Sequence, residues 1–151
     1  MVAISGAVSD FIAEGRVGRL GTADPGGQPL VVPICYAYDG EVLYSAIDGK
    51  PKGAGAGLRR IRNIQGNARV SLCIDHYDED WRRLRWVIID GEADLLTAGA
   101  DFARAADLLA TKYPQYRDVP LPRERGLMIR VRPTRISHWR FAAAGREEGV
   151  R

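Results

Sequence analysis

Residues 45–63, SAIDGKPKGAGAGLRRIRN, hold four glycines, two lysines and three arginines within nineteen positions, and little that would sit in a core. Lys50, Lys52, Arg59, Arg60 and Arg62 supply positive charge, and the small residues between them let an anion approach backbone N–H groups. Phosphate is the ligand such a segment suits. The familiar phosphate loops are nevertheless not matched. A Walker A loop needs Lys followed by Ser or Thr, whereas Lys50 is followed by Pro51. The alternation Gly53, Gly55, Gly57 lacks the dinucleotide spacing, because Leu58 stands where the third glycine belongs.

The remaining polar groups narrow the chemistry. No nucleophile with an adjacent base is legible, since no serine lies in a G-x-S-x-G context, and no catalytic side chain is assigned. Asp75, Asp78, Glu79 and Asp80, interleaved with His76, Tyr77 and Trp81, lack the glycine and terminal glutamate of a calcium loop. They read as a solvated turn between two strands. Cys35 and Cys73 each sit in an apolar alternating run, the setting of a small buried hydrophobe. His76 and His138 are far apart, and a lone Cys73–His76 pair falls short of a ligand set, so no metal site is expected. Most of Trp81, Trp86, Trp139, Tyr36, Tyr38, Tyr44 and Tyr77 belong to core or interface, leaving one or two to stack on a planar ligand. A flat apolar slot beside the cations would suit a planar ring with a phosphate tail.

The elements that must position these groups follow from periodicity. Residues 5–15 place Ala7, Val8, Phe11 and Ile12 at helical spacing behind Ser5, with Gly15 as a stop. VGRLGTAD and PLVVPICYAYD, divided by Pro25-Gly26-Gly27, read as a strand pair, and Asp39-Gly40 as a hairpin into EVLYSAID. LRRIRNIQGN sets Leu58, Ile61 and Ile64 on one helical face. ARVSLCID and RLRWVIIDGEADLLT are strands, and residues 98–116 form a helix with Phe102, Ala105, Ala106 and Leu109 buried, ended by Pro114. In the last strand, GLMIRVRPTRISHWRF, Pro133 marks a bulge or an edge.

Six or more strands joined by short hairpins must pair antiparallel, and a sheet this rich in a chain of 151 residues closes most economically into a barrel with helices outside. The expected fold is thus mainly β (α+β), one domain over residues 1–151 with a flexible tail from 142. No apolar run approaches the ~20 residues of a membrane span, and the basic-then-apolar start of a signal peptide is missing. No membrane partner is expected, and the cytoplasm is the default location.

From residue 5 to 141 the order of these motifs resembles the pyridoxamine 5'-phosphate oxidase-like split β-barrel family of FMN-binding type. The shared features are V-x-P-x-x-Y, a D-G hairpin, a strand ending in a small hydroxyl residue, a Lys/Arg loop, and N-[IL]-x-x-[ND]-[PA]-x-[VA]-[SA]-[LI], met here by NIQGNARVSL. More narrowly the chain is similar to the branch in which many members use the deazaflavin coenzyme F420 in place of FMN.

The resemblance implies that Val32, Pro33, Ile34 and Tyr36 line one side of a cofactor ring. It implies that Ser45, Ala46 and Ile47 meet the phosphate-bearing chain. Two cation sets are open for the phosphate itself, Lys50 and Lys52 or Arg59 and Arg60. It further implies a homodimer with cofactor sites at the interface, closed by a tryptophan such as Trp86 or Trp139. The activity implied is hydride transfer to a small electron-poor acceptor, which explains the lack of a nucleophile, because the cofactor carries the reactive atom. An FMN-dependent flavoprotein on the same scaffold and a non-catalytic F420- or haem-binding protein are the alternatives. Nucleic acid is not an expected partner, since the cations cluster in one loop and helix and RNA-binding signatures are absent.

Overall fold

The computed structural model describes residues 2–47 and 58–142; Lys50, Lys52, the glycines at 49–57 and the expected flexible tail from 143 onward lie outside the described residues. Helix α1 (Gly6–Glu14) starts where the Ser5 hydroxyl accepts the Val8 N–H and stops where the Gly15 N–H returns to the Phe11 carbonyl. Its Val8 and Ile12 are buried. Strands β1 (Gly18–Ala23) and β2 (Pro29–Ile34) form a hairpin, β3 (Ala37–Tyr38) and β4 (Leu43–Ala46) a second one. In the tighter turn Gly40 takes a φ of 101° while the Asp39 carboxylate accepts the N–H groups of Glu41 and Val42. Helix α2 (Arg59–Gly66), β5 (Arg69–His76), β6 (Arg85–Ala98), α3 (Ala100–Lys112) and β7 (Arg125–Arg140) complete the order.

The seven strands form one sheet in the order β2-β1-β5-β6-β7-β4-β3, every neighbouring pair antiparallel. The long arm expected over PLVVPICYAYD is two strands at opposite ends of that sheet, linked by Cys35 and Tyr36 alone. Three Cα steps reach at most ~11 Å, so the sheet must curl until its ends meet. It does not close: no ladder joins β2 to β3, so the barrel is split, as the family resemblance implied. Two prolines explain the open side, since Pro29 and Pro33 have no N–H to give and a strand carrying both suits an edge.

Side chains close the seam instead. The Tyr36 hydroxyl donates to the Ile12 carbonyl at 2.5 Å. The Tyr113 hydroxyl accepts the Tyr36 N–H at 3.2 Å and shares its own proton between the carbonyls of Arg16 and Tyr36 at 2.9 and 3.1 Å. A Cβ at Gly15 would collide with the Tyr36 hydroxyl, which fixes glycine at the end of α1.

Inside the curl Leu20, Leu72, Ile74, Val87, Ile89, Ile129 and Val131 pack with Tyr36 and with the buried faces of α1 and α2. Outside it, Phe102, Ala105, Ala106 and Leu109 of α3 pack on Ala37, Tyr44, Ala46 and Met128. The two alanines let the helix lie close, and Phe102 and Leu109 contribute about 1.5–3 kcal/mol each by burial. Arg130 fixes the start of α3, forking onto Asp94 at 2.9 and 2.6 Å and reaching Asp101 at 3.0 Å. That fork holds the Asp94 carboxyl below the usual carboxylate range. Pro133 does mark a bulge: Asp90 pairs with Arg135 and Gly91 with Pro133, leaving Thr134 extra. A Cβ at Gly91 would come within 2.5 Å of the Arg132 carbonyl oxygen.

Candidate functional site

The seam between β2 and β4 brings together two of the expected segments. Ser45 is buried, and its hydroxyl donates to the Cys35 carbonyl at 2.8 Å, so that the turn after Ile34 lies against β4. Ala46 is buried on the α3 side, and the Ile47 N–H continues the ladder to the Leu127 carbonyl at 3.0 Å. The Ser45 hydroxyl proton and the Ile47 N–H are therefore already engaged in holding the seam.

Along β2 the alternation decides which side chains a ring can touch. Ile34 is buried and Val32 packs against the interior, as does Tyr36 just beyond the strand. A ring on this strand would meet those three through backbone only. Pro29, Val31 and Pro33 face outward, and Val31 at 65% exposure is an uncovered apolar residue on an end strand. Val31 is absent from the expected site set, although the period-2 pattern of PLVVP carries it together with Pro33.

Helix α2 is held by its asparagine. Asn63, the first residue of the N-[IL] motif, is buried and donates to the Thr22 hydroxyl of β1 at 3.0 Å. The motif residue thus positions the helix, whose first turn carries exposed Arg59 and half-buried Arg60.

Trp86 and Trp139 face each other across β6 and β7, as do Arg85 and Arg140. With Ser5, Ala7, Val8 and His138 they enclose a cavity of about 160 Å³ beside the start of α1. Burial and the nearby Arg140 charge push the Arg85 guanidinium pKa down, and its carbon lies 3.9 Å from the Phe11 ring centre. This corner is remote from the seam. Ser45 pairs with Ile129, and Trp139 lies ten residues further along β7, or about 30 Å at roughly 3.3 Å per residue. Ser45 thus lies beside the start of β7 and Trp139 near its end.

The acidic turn is built as a turn. Asp75 pairs with Arg19 at 2.6 Å, Asp78 accepts the Asp80 N–H, and Asp80 caps a short 3-10 turn at Trp81–Arg83.

A split antiparallel sheet with its ends joined by a two-residue link, two helices packed on its interior and a third outside defines the class: a split β-barrel. The model of the pyridoxamine 5'-phosphate oxidase family matches residues 4–140, and the chain belongs to that family. It is 31% identical over 123 residues, 81% of its length and 72% of the relative's, to the 5a,11a-dehydrotetracycline/5a,11a-dehydrooxytetracycline reductase of Streptomyces rimosus. A conserved hypothetical protein from Mycobacterium tuberculosis superposes with a TM-score of 0.73 at 23% identity, over 93% of this chain and 87% of that one. A solved F420 reductase superposes with a TM-score of 0.62 at 26% identity, over 89% and 98%.

Proposed function

We propose that this chain is an oxidoreductase that binds reduced coenzyme F420 at the β2–β4 seam and delivers hydride to a small electron-poor organic acceptor. The likeness to a dehydrotetracycline reductase carries this reading, and the likeness to an F420 reductase supports the cofactor. The seam fits a flat ring with an anionic tail. An uncovered apolar strip, Val31 with Pro33, lies beside backbone already fixed by Ser45, and the next segments of chain carry Lys50, Lys52, Arg59 and Arg60. When bound, the deazaflavin supplies the hydride. The chain supplies orientation through the strip, charge through the cations, and no covalent step.

The placing of Ser45 beside the start of β7 and of Trp139 near its end supports a homodimer, in which a second copy would bring its own tryptophan corner over the strip. Because Val31 stands exposed on an end strand, that strip is a suitable face for such a copy.

Fluorescence titration of the cofactor-stripped protein with F420 and with FMN tests the reading. Micromolar or tighter binding of F420 alone is expected. Binding of FMN alone would replace it with an FMN-dependent flavoprotein, and binding of neither would remove the cofactor assignment.

A further inference from the structure

A second cavity, about 300 Å³, opens where the β2–β3 link meets the end of α3, lined by Arg16, Cys35, Tyr113, Gln115, Tyr116 and Val119. Its size is at the lower end of small-molecule sites. The wall is largely aromatic and aliphatic, and Arg16 is its one charged residue among those described. The Arg16 guanidinium lies 4.5 Å from the Tyr113 ring centre and donates to the Lys112 carbonyl at 3.1 Å. The Lys112 ammonium is enclosed, 4.0 Å from the Tyr36 ring centre and 5.4 Å from that of Tyr113. Among the described residues neither cation forms an ion pair, and the Lys112 nitrogen has no hydrogen-bond partner.

Among the described residues no carboxylate lines this cavity or pairs with either cation, which leaves the anion to a ligand. The nearby phenols do not compete for it: Tyr36 and Tyr113 spend their hydroxyls on the carbonyls of Ile12, Arg16 and Tyr36. We propose that this cavity binds a small organic carboxylate with a flat apolar body, the carboxylate on Arg16 and the body against Tyr113, Tyr116 and Val119. The Lys112 charge adds positive potential behind the aromatic wall. Cys35 lines this cavity and receives the Ser45 hydroxyl on its carbonyl, so the cavity and the seam share one residue.

Calorimetric titration of the full chain with 1-naphthoate and with the neutral 1-naphthalenemethanol tests it. Naphthoate binds saturably at submillimolar concentration, and the alcohol binds at least about tenfold more weakly, the factor expected when a charge-assisted hydrogen bond is lost. Arg16→Gln removes the same factor, with an unchanged thermal midpoint showing that the fold is kept. Val119→Phe fills the cavity, leaves both cations in place and abolishes binding. Acid and alcohol binding equally, affinity surviving both substitutions, or no saturable binding at millimolar naphthoate overturns the proposal. The F420 titration runs on the same proteins, so failure of the cofactor reading is seen separately.

Discussion

Lys112 ends α3 with its ammonium enclosed over the Tyr36 ring, and burial, with a smaller contribution from the Arg16 charge, pushes its pKa from 10.5 down to about 8. Folded protein therefore releases this proton near pH 8 and unfolded protein near 10.5. Between those values the unfolded chain holds more protons, so stability rises with pH; below about 8 the whole penalty is present. Lys112→Met keeps the length of the side chain and removes the charge. It should stabilise the protein at pH 7 by about 1 kcal/mol, after the ring contacts are set against the desolvation. It should also flatten the rise between pH 8 and 10.5, as read by urea unfolding at pH 7 and 9.5. Nothing in TKYPQY signals this from sequence, because the burial arises from Tyr36, seventy-six residues earlier. The cations at the other site were plain in the sequence. Replacing Lys52 and Arg60 together with alanine should weaken F420 binding by about 3 kcal/mol or more, at roughly 1.5–3 kcal/mol for each charged hydrogen bond; unchanged affinity in the fluorescence titration would move the phosphate elsewhere.

At the scale of elements, α2 depends on one buried polar pair. Asn63→Leu alone leaves the Thr22 hydroxyl without the Asn63 amide and should cost about 1–3 kcal/mol, whereas Asn63→Leu with Thr22→Val, removing both partners, should recover most of it. Chemical denaturation of the single and double variants measures the difference. Helices, strands and the Pro133 bulge were legible because each is written locally, in capping residues, in periods of 3.6 and 2, and in turn glycines. The break between Ile34 and Ala37 was not. PLVVPICYAYD alternates like one strand, and only the pairing of its halves with β1 and with β4 separates them to opposite ends of the sheet. The same limit hid the inward direction of Tyr36 and the distance between Trp139 and Ser45, since register along β7 is a long-range property.

For the whole molecule, the proposed dimer and the proposed cofactor site share one exposed strip on an end strand, so the proposal couples assembly to cofactor binding. Val31→Glu places a charge in the proposed contact between copies without touching the interior. It should turn a dimer into a monomer in sedimentation and weaken F420 binding at the same time, while the unfolding midpoint of the monomer stays within about 0.5 kcal/mol of wild type, as for a surface change. A monomeric wild type that binds F420 fully would separate the two properties and leave the strip for another use. Among the described residues no helix is long and apolar enough to cross a membrane.

The hairpin of β3 and β4 is attached to the sheet by one short ladder, from Leu43–Val131 to Ala46–Met128, whereas β6 and β7 run together along nearly their whole length. Native proteins open first where the fewest bonds must break together. The amides of Leu43 to Ile47 should therefore exchange with deuterium sooner than those of β6. A ligand seated at the seam would slow that exchange, so the breathing of this hairpin offers a measure of occupancy that needs neither turnover nor colour.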